Sequence, residues 1–406
     1  MEHDPHRQAV DVEKLRAWWS HRQWLDRPRT GASAAEVLAA TGWARSVGGA
    51  APYLGLFARA GLGRAAVDAA VAALEVHELP SARGCAYVLP AADFALGLAA
   101  GAAAPAGELA AAQKHLGVAG GEVEQLCLAV ERVLAADRPL DPATIREAVG
   151  DAVRPLGEAG RKRGLATTLP LALGLLQSRG RIRRVPVNGR LDQQRYGYVC
   201  WDQPVRGDAV DLARRYFSWA GPATLKHFRW FSGFTAATAR RAVAEAGLVP
   251  LAPGSEFLLP PELAEEFAGF EVPKDPHYTL LAGIDGIHLL HRDLPRLLDP
   301  ADAARPLPAG KAGRTFGGEA DPQTHLVLDR GRIVGLWEYD TERAEIVHQL
   351  FVPPDDALRA AVARTEAFVR DELGDARGFS LDSPKSRAPK IAALRATTGV
   401  PGRTAG

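Results

Sequence analysis

The sequence predicts a mostly α protein with β wings, an α+β chain of tandem winged helix-turn-helix units that closes with a β-meander and a helix. Three observations predict it. Helical segments followed by a β excursion recur three times along the chain. Asn188-Gly189, a dipeptide suited to the positive-φ turn of a tight hairpin, separates two alternating runs. The C-terminal third changes to period-two alternation in three successive segments. The boundaries read from this rhythm are 11–98, 108–204 and 208–262 for the three units and 275–395 for the β-rich part.

The first unit opens with Leu15, Trp18, Trp19 and Arg22 at helical spacing. Ser33-Ala34-Ala35-Glu36 is a capping box ahead of an apolar run. Trp43 to Gly49 is a Gly-containing break, Pro52 to Arg59 an apolar helix stopping near Gly61, and Arg64 to Leu74 a further helix. Gly84 to Leu89 is β-like. Ala99 to Gly107, rich in Ala, Gly and Pro, reads as a hinge.

The second unit carries an amphipathic helix from Glu122 to Ala136 and a helix started by Asp141 and Pro142. Thr168 to Arg179 is its third helix, in the place of a recognition helix, and a hairpin around Asn188-Gly189 follows as its wing. The third unit has helices over Asp208–Ala220, Thr224–Trp230 and Thr235–Gly247, then Leu248–Leu251 paired with Glu256–Pro260. Thr324–Leu328, Arg332–Tyr339 and Ala344–Phe351 form the meander, and Pro354–Leu373 is a helix. From Ser383 onward the chain reads as a basic, mobile tail. Trp18, Trp19, Trp219, Trp230 and Trp337 are expected in the core.

With 47% apolar and 24% charged residues, the chain is globular rather than disordered. Cys85, Cys127 and Cys200 are far apart and odd in number, which points to a reducing, cytoplasmic setting rather than a disulfide framework. The polar start, Met1 to Pro5, has no apolar run of a signal peptide. The most apolar stretch, Ala91 to Ala104, is shorter than the ~20 residues of a membrane span, so no membrane is expected. Nothing in the unit repeat asks for a dimer, and a monomer is expected.

The net charge of +1 hides an uneven distribution. From residue 152 to 200, ten Lys and Arg face only Glu158 and Asp192, while residues 254–302 carry ten acids against three bases. A basic window on a wing and recognition helix suits the phosphates of double-stranded DNA. The residues assigned to that contact are Arg181, Arg183, Arg184, Arg190 and Arg195, with Arg83 and Tyr87 from the first wing.

Several chemistries are excluded by motif. There is no GxxxxGK[ST] loop, no GxGxxG before a helix and no GxSxG elbow. His288 and His291 lack further partners at ligand spacing, so neither metal nor cofactor is expected.

Several segments resemble, in order, the AlkZ-like DNA glycosylases. They are Ala51-Pro52-Tyr53-Leu54-Gly55-Leu56-Phe57-Ala58-Arg59, Arg215 to Thr224 with its Gly-Pro-Ala-Thr, Phe257-Leu258-Leu259-Pro260 followed by Leu281 to Asp285, and Leu328 to Trp337. The resemblance implies a C-shaped stack of winged-helix units around duplex DNA and removal of alkylated bases. An alkylated purine leaves from a cationic nucleoside, so an amide or carboxylate holding water near the sugar suffices. The family's device is Gln-x-Gln, or Gln-x-Asp in one branch. Here Arg45-Ser46-Val47 occupies that position; Gln193-Gln194 lies elsewhere. Arg83-Gly84-Cys85-Ala86-Tyr87 stands at the family's R-G-T-x-H strand, with Tyr87 in place of the histidine.

Arg45 and Ser46 are therefore the catalytic candidates, Arg45 for a phosphate or sugar oxygen and Ser46 for water. The alternative is an ordinary loop feeding a helix. His77-Glu78 is a possible acid–base pair, Trp43 and Tyr87 possible wedges, and Asp285 either a carboxylate of the site or a helix cap. Two functions remain open: a glycosylase with substituted chemistry, or a non-catalytic DNA binder acting as regulator or damage sensor. A structural interaction protein would require the wing arginines to face away from DNA.

Overall fold

A computed structural model describes residues 10–136, 138–310 and 313–398. The chain opens with α1 (Val12–Arg22), whose Asp11 caps the backbone N–H groups of Glu13 and Lys14. One order of elements then repeats: a helix, a short strand, further helices and a hairpin.

In the first cycle these are α2 (Ala34–Thr41), β1 (Ala44–Arg45), α3 (Ala51–Ala60), α4 (Arg64–Ala72), β2 (Val76–Pro80) and β3 (Ala86–Pro90). Ser33 and Glu36 close the capping box of α2 in both directions. α3 carries Pro52 in its first turn and stops at Gly61 in the left-handed region. The short β1 pairs with the second hairpin strand, giving the order β1-β3-β2.

The connection read as a hinge is helical. α5 (Phe94–Gly101) and α6 (Ala103–Leu116) continue one another, because alanine outweighs the scattered glycines in propensity. The helical stretch Ala91–Leu116 has the length and apolarity of a membrane span, yet Phe94 and Leu98 pack into an aromatic core.

The second cycle runs through α7 (Gly120–Leu134), α8 (Pro142–Val149), α9 (Gly157–Lys162), α10 (Leu169–Ser178), β4 (Ile182–Pro186) and β5 (Tyr196–Cys200). Its short strand is reduced to one bridge, Leu140 to Tyr198 on β5. The third cycle is α11 (Ala209–Ala220), β6 (Ala223–Thr224), α12 (Leu225–Ser232), α13 (Ala236–Glu245), β7 (Val249–Pro250) and β8 (Phe257–Leu259), with strand order β6-β8-β7.

After α14 (Pro261–Gly269) the chain enters a four-stranded antiparallel sheet. The sheet begins with β9 (Tyr278–Leu281), a strand not read from the sequence. Two short helices, α15 (Gly286–Leu289) and α16 (Pro300–Ala303), precede β10 (His325–Asp329), β11 (Arg332–Asp340) and β12 (Glu345–Leu350), and the order is β12-β11-β10-β9. α17 (Asp356–Phe368) packs on this sheet and winds on as a π turn through Val369–Leu373. The supposed mobile tail instead forms α18 (Pro384–Thr398), which lies along β11 and β12. Two fully buried side chains hold it there. Leu394 enters the core, and Arg387 reaches Asp375 at 2.8 Å.

The apolar clusters do not respect the expected boundaries. The first cycle shares one core with the C-terminal sheet and another, aromatic, with the third cycle. The second cycle has a core of its own, from Ala112 to Ile182. Trp18, Trp19, Trp219 and Trp337 are buried, whereas Trp230 is half-buried beneath two arginines.

Between β1 and α3 the backbone runs against another loop. A Cβ on Gly49 would lie 2.4 Å from the Gly378 carbonyl oxygen and 2.6 Å from that of Arg377. Gly49→Ala is expected to cost about 1–3 kcal/mol, measured by urea unfolding, because backbone rather than a side-chain tip must yield.

Burial pushes His77 and His291 down to about 3 and His325 down to about 4. These rings stay neutral in the fold but charge in the unfolded chain below its histidine range near pH 6.5. Their contribution is complete above that pH and is lost as pH falls. Glu338 works oppositely: burial raises it to about 7, so the folded chain holds a proton there that the unfolded chain has released. Burial lowers His277 and His348 as well, so at least three protons against one leave a net uptake of about two or more on unfolding at pH 5–6, or roughly 3 kcal/mol or more of stability lost per pH unit. Urea midpoints that stay level from pH 6.5 to 5 would contradict this.

Candidate active-site region

The segment at the motif position is a strand end. Ala44 and Arg45 of β1 pair with Val88 and Tyr87 of β3, and the Ser46 N–H continues the ladder to the Ala86 carbonyl at 3.0 Å. Alternation along this short strand sends neighbouring side chains to opposite faces. Arg45 donates to the Ala86 carbonyl at 2.7 Å, its guanidinium 5.4 Å from the centre of the Tyr87 ring. Ser46 is 1% exposed and donates its Oγ proton to Glu78 Oε2 at 2.7 Å.

Glu78 is the hub. It sits on β2, 4% exposed, accepts from Ser46 and from the Tyr196 hydroxyl at 3.0 and 3.1 Å, and forms an ion pair with Arg184 at 2.9 Å. Burial, reinforced by the Glu78 charge, pushes the Tyr196 phenol well above its usual range, so it remains a donor. Arg184 lies over the Tyr196 ring with 4.7 Å to the centroid. Thus a carboxylate and a hydroxyl meet at the motif position, closed over by two side chains of the second hairpin. Neighbouring His77 is buried against Phe94 and Trp201 with its Nε2 unpartnered, and burial, then the charges of Arg183 and Arg184, keeps it neutral.

A second polar set lies on the other side of Arg45. Arg59 of α3 grips Asp285 with both terminal nitrogens at 2.8 and 2.7 Å, and also donates to Gln23 Oε1 at 2.9 Å. Gln23 in turn donates to the Thr41 carbonyl at 2.6 Å. Asp285 caps α15 through the Ile287 N–H at 2.9 Å. With Arg45, these residues line a cavity of about 20 Å³, space for one water. Asp285 is thus a cap and an ion-pair partner at once.

The residues expected on DNA divide by environment. Arg83 is exposed at the turn of the first hairpin, in the left-handed region at φ 60°, 4.1 Å from the Trp230 ring centre. Arg195 is exposed. Arg181 is exposed but paired with Glu131 at 2.7 Å and Asp202 at 3.3 Å. Arg183 is half-buried on β4. Arg184 and Arg190 act inside the protein. Arg184 holds Glu78, and Arg190 holds Asp192 and the Leu373 carbonyl. Tyr87 is 2% exposed among Trp43 and Phe231, closed to any ligand.

The reason for these departures is the course of residues 187–195. Asn188-Gly189 does turn the chain, with the Gly189 N–H bonded to the Pro186 carbonyl at 3.1 Å, but the loop then dives inward. Leu191 is fully buried in the first core, its N–H bonded to the Tyr53 hydroxyl at 2.9 Å. Sequence reading missed Tyr196, Gln23 and Arg59 as members of the region; none stands in a recognisable spacing with Ser46. Among the described residues, no group of three or more His, Cys, Asp or Glu is placed to hold a metal.

Three cycles of helices that each end in a hairpin, a β-rich end, and a hydroxyl–carboxylate pair joining the end of β1 to β2 make up this frame. The family model for DNA glycosylase AlkZ-like proteins matches residues 41–368, and the chain belongs to that family. Among solved structures it is similar to the Streptomyces sahachiroi DNA glycosylase AlkZ. The TM-score is 0.66 at 22% identity, over 90% of this chain and 97% of that one. No curated protein matches.

Asp285→Asn would leave the buried Arg59 guanidinium without its counter-charge. A loss of about 3–5 kcal/mol in urea unfolding is expected. A loss below about 1 kcal/mol would show that water reaches Arg59 and relieves it.

Proposed function

We propose that the chain binds double-stranded DNA as a monomer through three winged-helix units and releases alkylated bases by N-glycosidic cleavage, without metal or cofactor. Family membership supports action on DNA. The threefold recurrence supports the winged-helix assignment: in each cycle the short strand or bridge pairs with the second hairpin strand, and the last helix, the third in two cycles and the fourth in the second, precedes the hairpin. Arg83, Arg181 and Arg195 are the phosphate-facing cations in this reading, with Arg183 beside them. Arg184 and Arg190 are struts.

The observation that carries the chemistry is the hydrogen bond from Ser46 to Glu78 at the motif position. Loss of a cationic base leaves positive charge on the sugar, and a nearby carboxylate stabilises it and orients a water through a hydroxyl. Glu78 takes the first role and Ser46 the second, while Arg45 lies at the edge of the same strand for a sugar or phosphate oxygen. Access requires Tyr196 and Arg184 to move, which DNA contact along the second hairpin would drive.

A second reading, a damage-binding protein without chemistry, is favoured by one fact: Ser46 and Glu78 are closed off with their hydrogen bonds met inside the protein. Base release from N-methylated duplex DNA, with binding measured on the same samples, separates the two. Glu78→Gln keeps the shape and should lower release by about 100-fold or more while binding persists. Tight, salt-sensitive binding by the native chain with no release would assign the second reading.

A further inference from the structure

Six large apolar side chains are exposed among the described residues, and three of them stand on two touching loops. Val187 is 65% exposed at the start of the loop after β4. Phe379 is 47% and Leu381 84% exposed, in the turn between the π segment and α18. The loops are joined by Ser380 Oγ and Gln194 Oε1 at 2.8 Å. Val187 donates its N–H to the Arg195 carbonyl at 2.9 Å, one residue from that joint.

Both loops are fixed to the motif segment. The Ser380 N–H reaches the Val47 carbonyl at 3.0 Å, and the Ala50 N–H reaches that of Arg377 at 2.9 Å. A Cβ on Gly48 would lie 2.5 Å from Gln194 Cγ and 2.9 Å from Ser380 Cβ. The ridge is therefore a rigid extension of the segment that carries Ser46. A loop held this firmly has no folding reason to point Phe379 and Leu381 into water, each at a cost of buried area forgone. Arg195 and Lys385 are exposed beside it, and neither has an ion-pair partner among the described residues.

We propose that Phe379 and Leu381, with Val187 beside them, form an apolar wedge that enters a base step of duplex DNA next to the motif segment. Arg195 and Lys385 hold the flanking phosphates. Apolar side chains between cationic ones suit a stack of bases between two charged strands, and such wedges unstack the step they enter. The inference rests on the duplex-DNA reading above, and it adds where the strand is opened.

The test uses a duplex with an abasic-site analogue flanked by 2-aminopurine, whose fluorescence rises when its stacking is lost. The native chain is compared with Leu381→Ser and with the double variant Phe379→Ser, Leu381→Ser. The altered side chains are exposed, so thermal midpoints should stay level; Leu381→Ser, at the more exposed position, serves if the double variant does not. The fluorescence rise is expected to fall about threefold or more in the double variant, while the salt dependence of binding keeps its slope. Equal rises in native and variant chains, with binding intact, overturn the wedge and leave DNA binding standing. No salt-dependent binding by the native chain overturns the DNA reading and the wedge with it.

Discussion

The joint on which the structure depends is the buried ion pair between Arg59 and Asp285. Arg59 comes from the apolar helix α3, Asp285 from the cap of α15 after the first strand of the C-terminal sheet, and Gln23 from the end of α1. Three parts of the chain, more than 200 residues apart at the extremes, are thereby fixed by planar, directional bonds. A buried ion pair adds little net stability over apolar packing, but it tolerates few alternative geometries. Gly55 allows the approach: a Cβ there would lie 3.2 Å from the Asp285 carboxylate. β1, which pairs with β3, passes beside this joint, where Arg45 lines the same cavity, and leads to Ser46.

Each polar group near Ser46 arrives from a different segment. Glu78 comes from the first hairpin, Tyr196 and Arg184 from the second, and the 377–381 loop from beyond the sheet. The second hairpin consequently has two duties. Its outer residue Arg195 stays in solvent, while Leu191 and Arg190 anchor the loop between the first core and the π segment. A basic window in sequence thus resolves into struts and surface charges. Counting arginines cannot separate them, because capture depends on the fold: Glu78, which holds Arg184, lies 106 positions away, and Arg190 beside Asp192 is also tied to the remote Leu373 carbonyl.

Much of the fold was legible. Capping at Ser33-Glu36 and at Asp141 and the apolar side chains of α7 and α10 are local signals that the structure follows, and β10 to β12 form where alternation placed strands, although β10 and β11 are buried on both faces. What local signals missed depended on distance. α18 looked like a free tail because its hold comes from Arg387 and Leu394, a cation and one leucine that find partners on remote elements. The Ala99–Gly107 stretch looked loose because Gly and Pro were weighed above the helix preference of alanine. Of the groups in the proposed site, Arg45, Ser46 and Glu78 were noticed in the sequence, Glu78 apart from the other two. Their contact across 32 positions comes from the pairing of β1 with β3 and β3 with β2.

The separate apolar core of the second cycle has a consequence for how the molecule comes apart. The first and third cycles share aromatic side chains, so neither can loosen alone, whereas the segment around α7 and α10 keeps its own interior and meets the rest through α5, α6, β2 and the hairpin. Such a segment is a cooperative unit in its own right. In amide exchange it would open as one block, at a free energy below that of the whole, and because its hairpin carries Tyr196 and Arg184, that opening would also uncover Glu78.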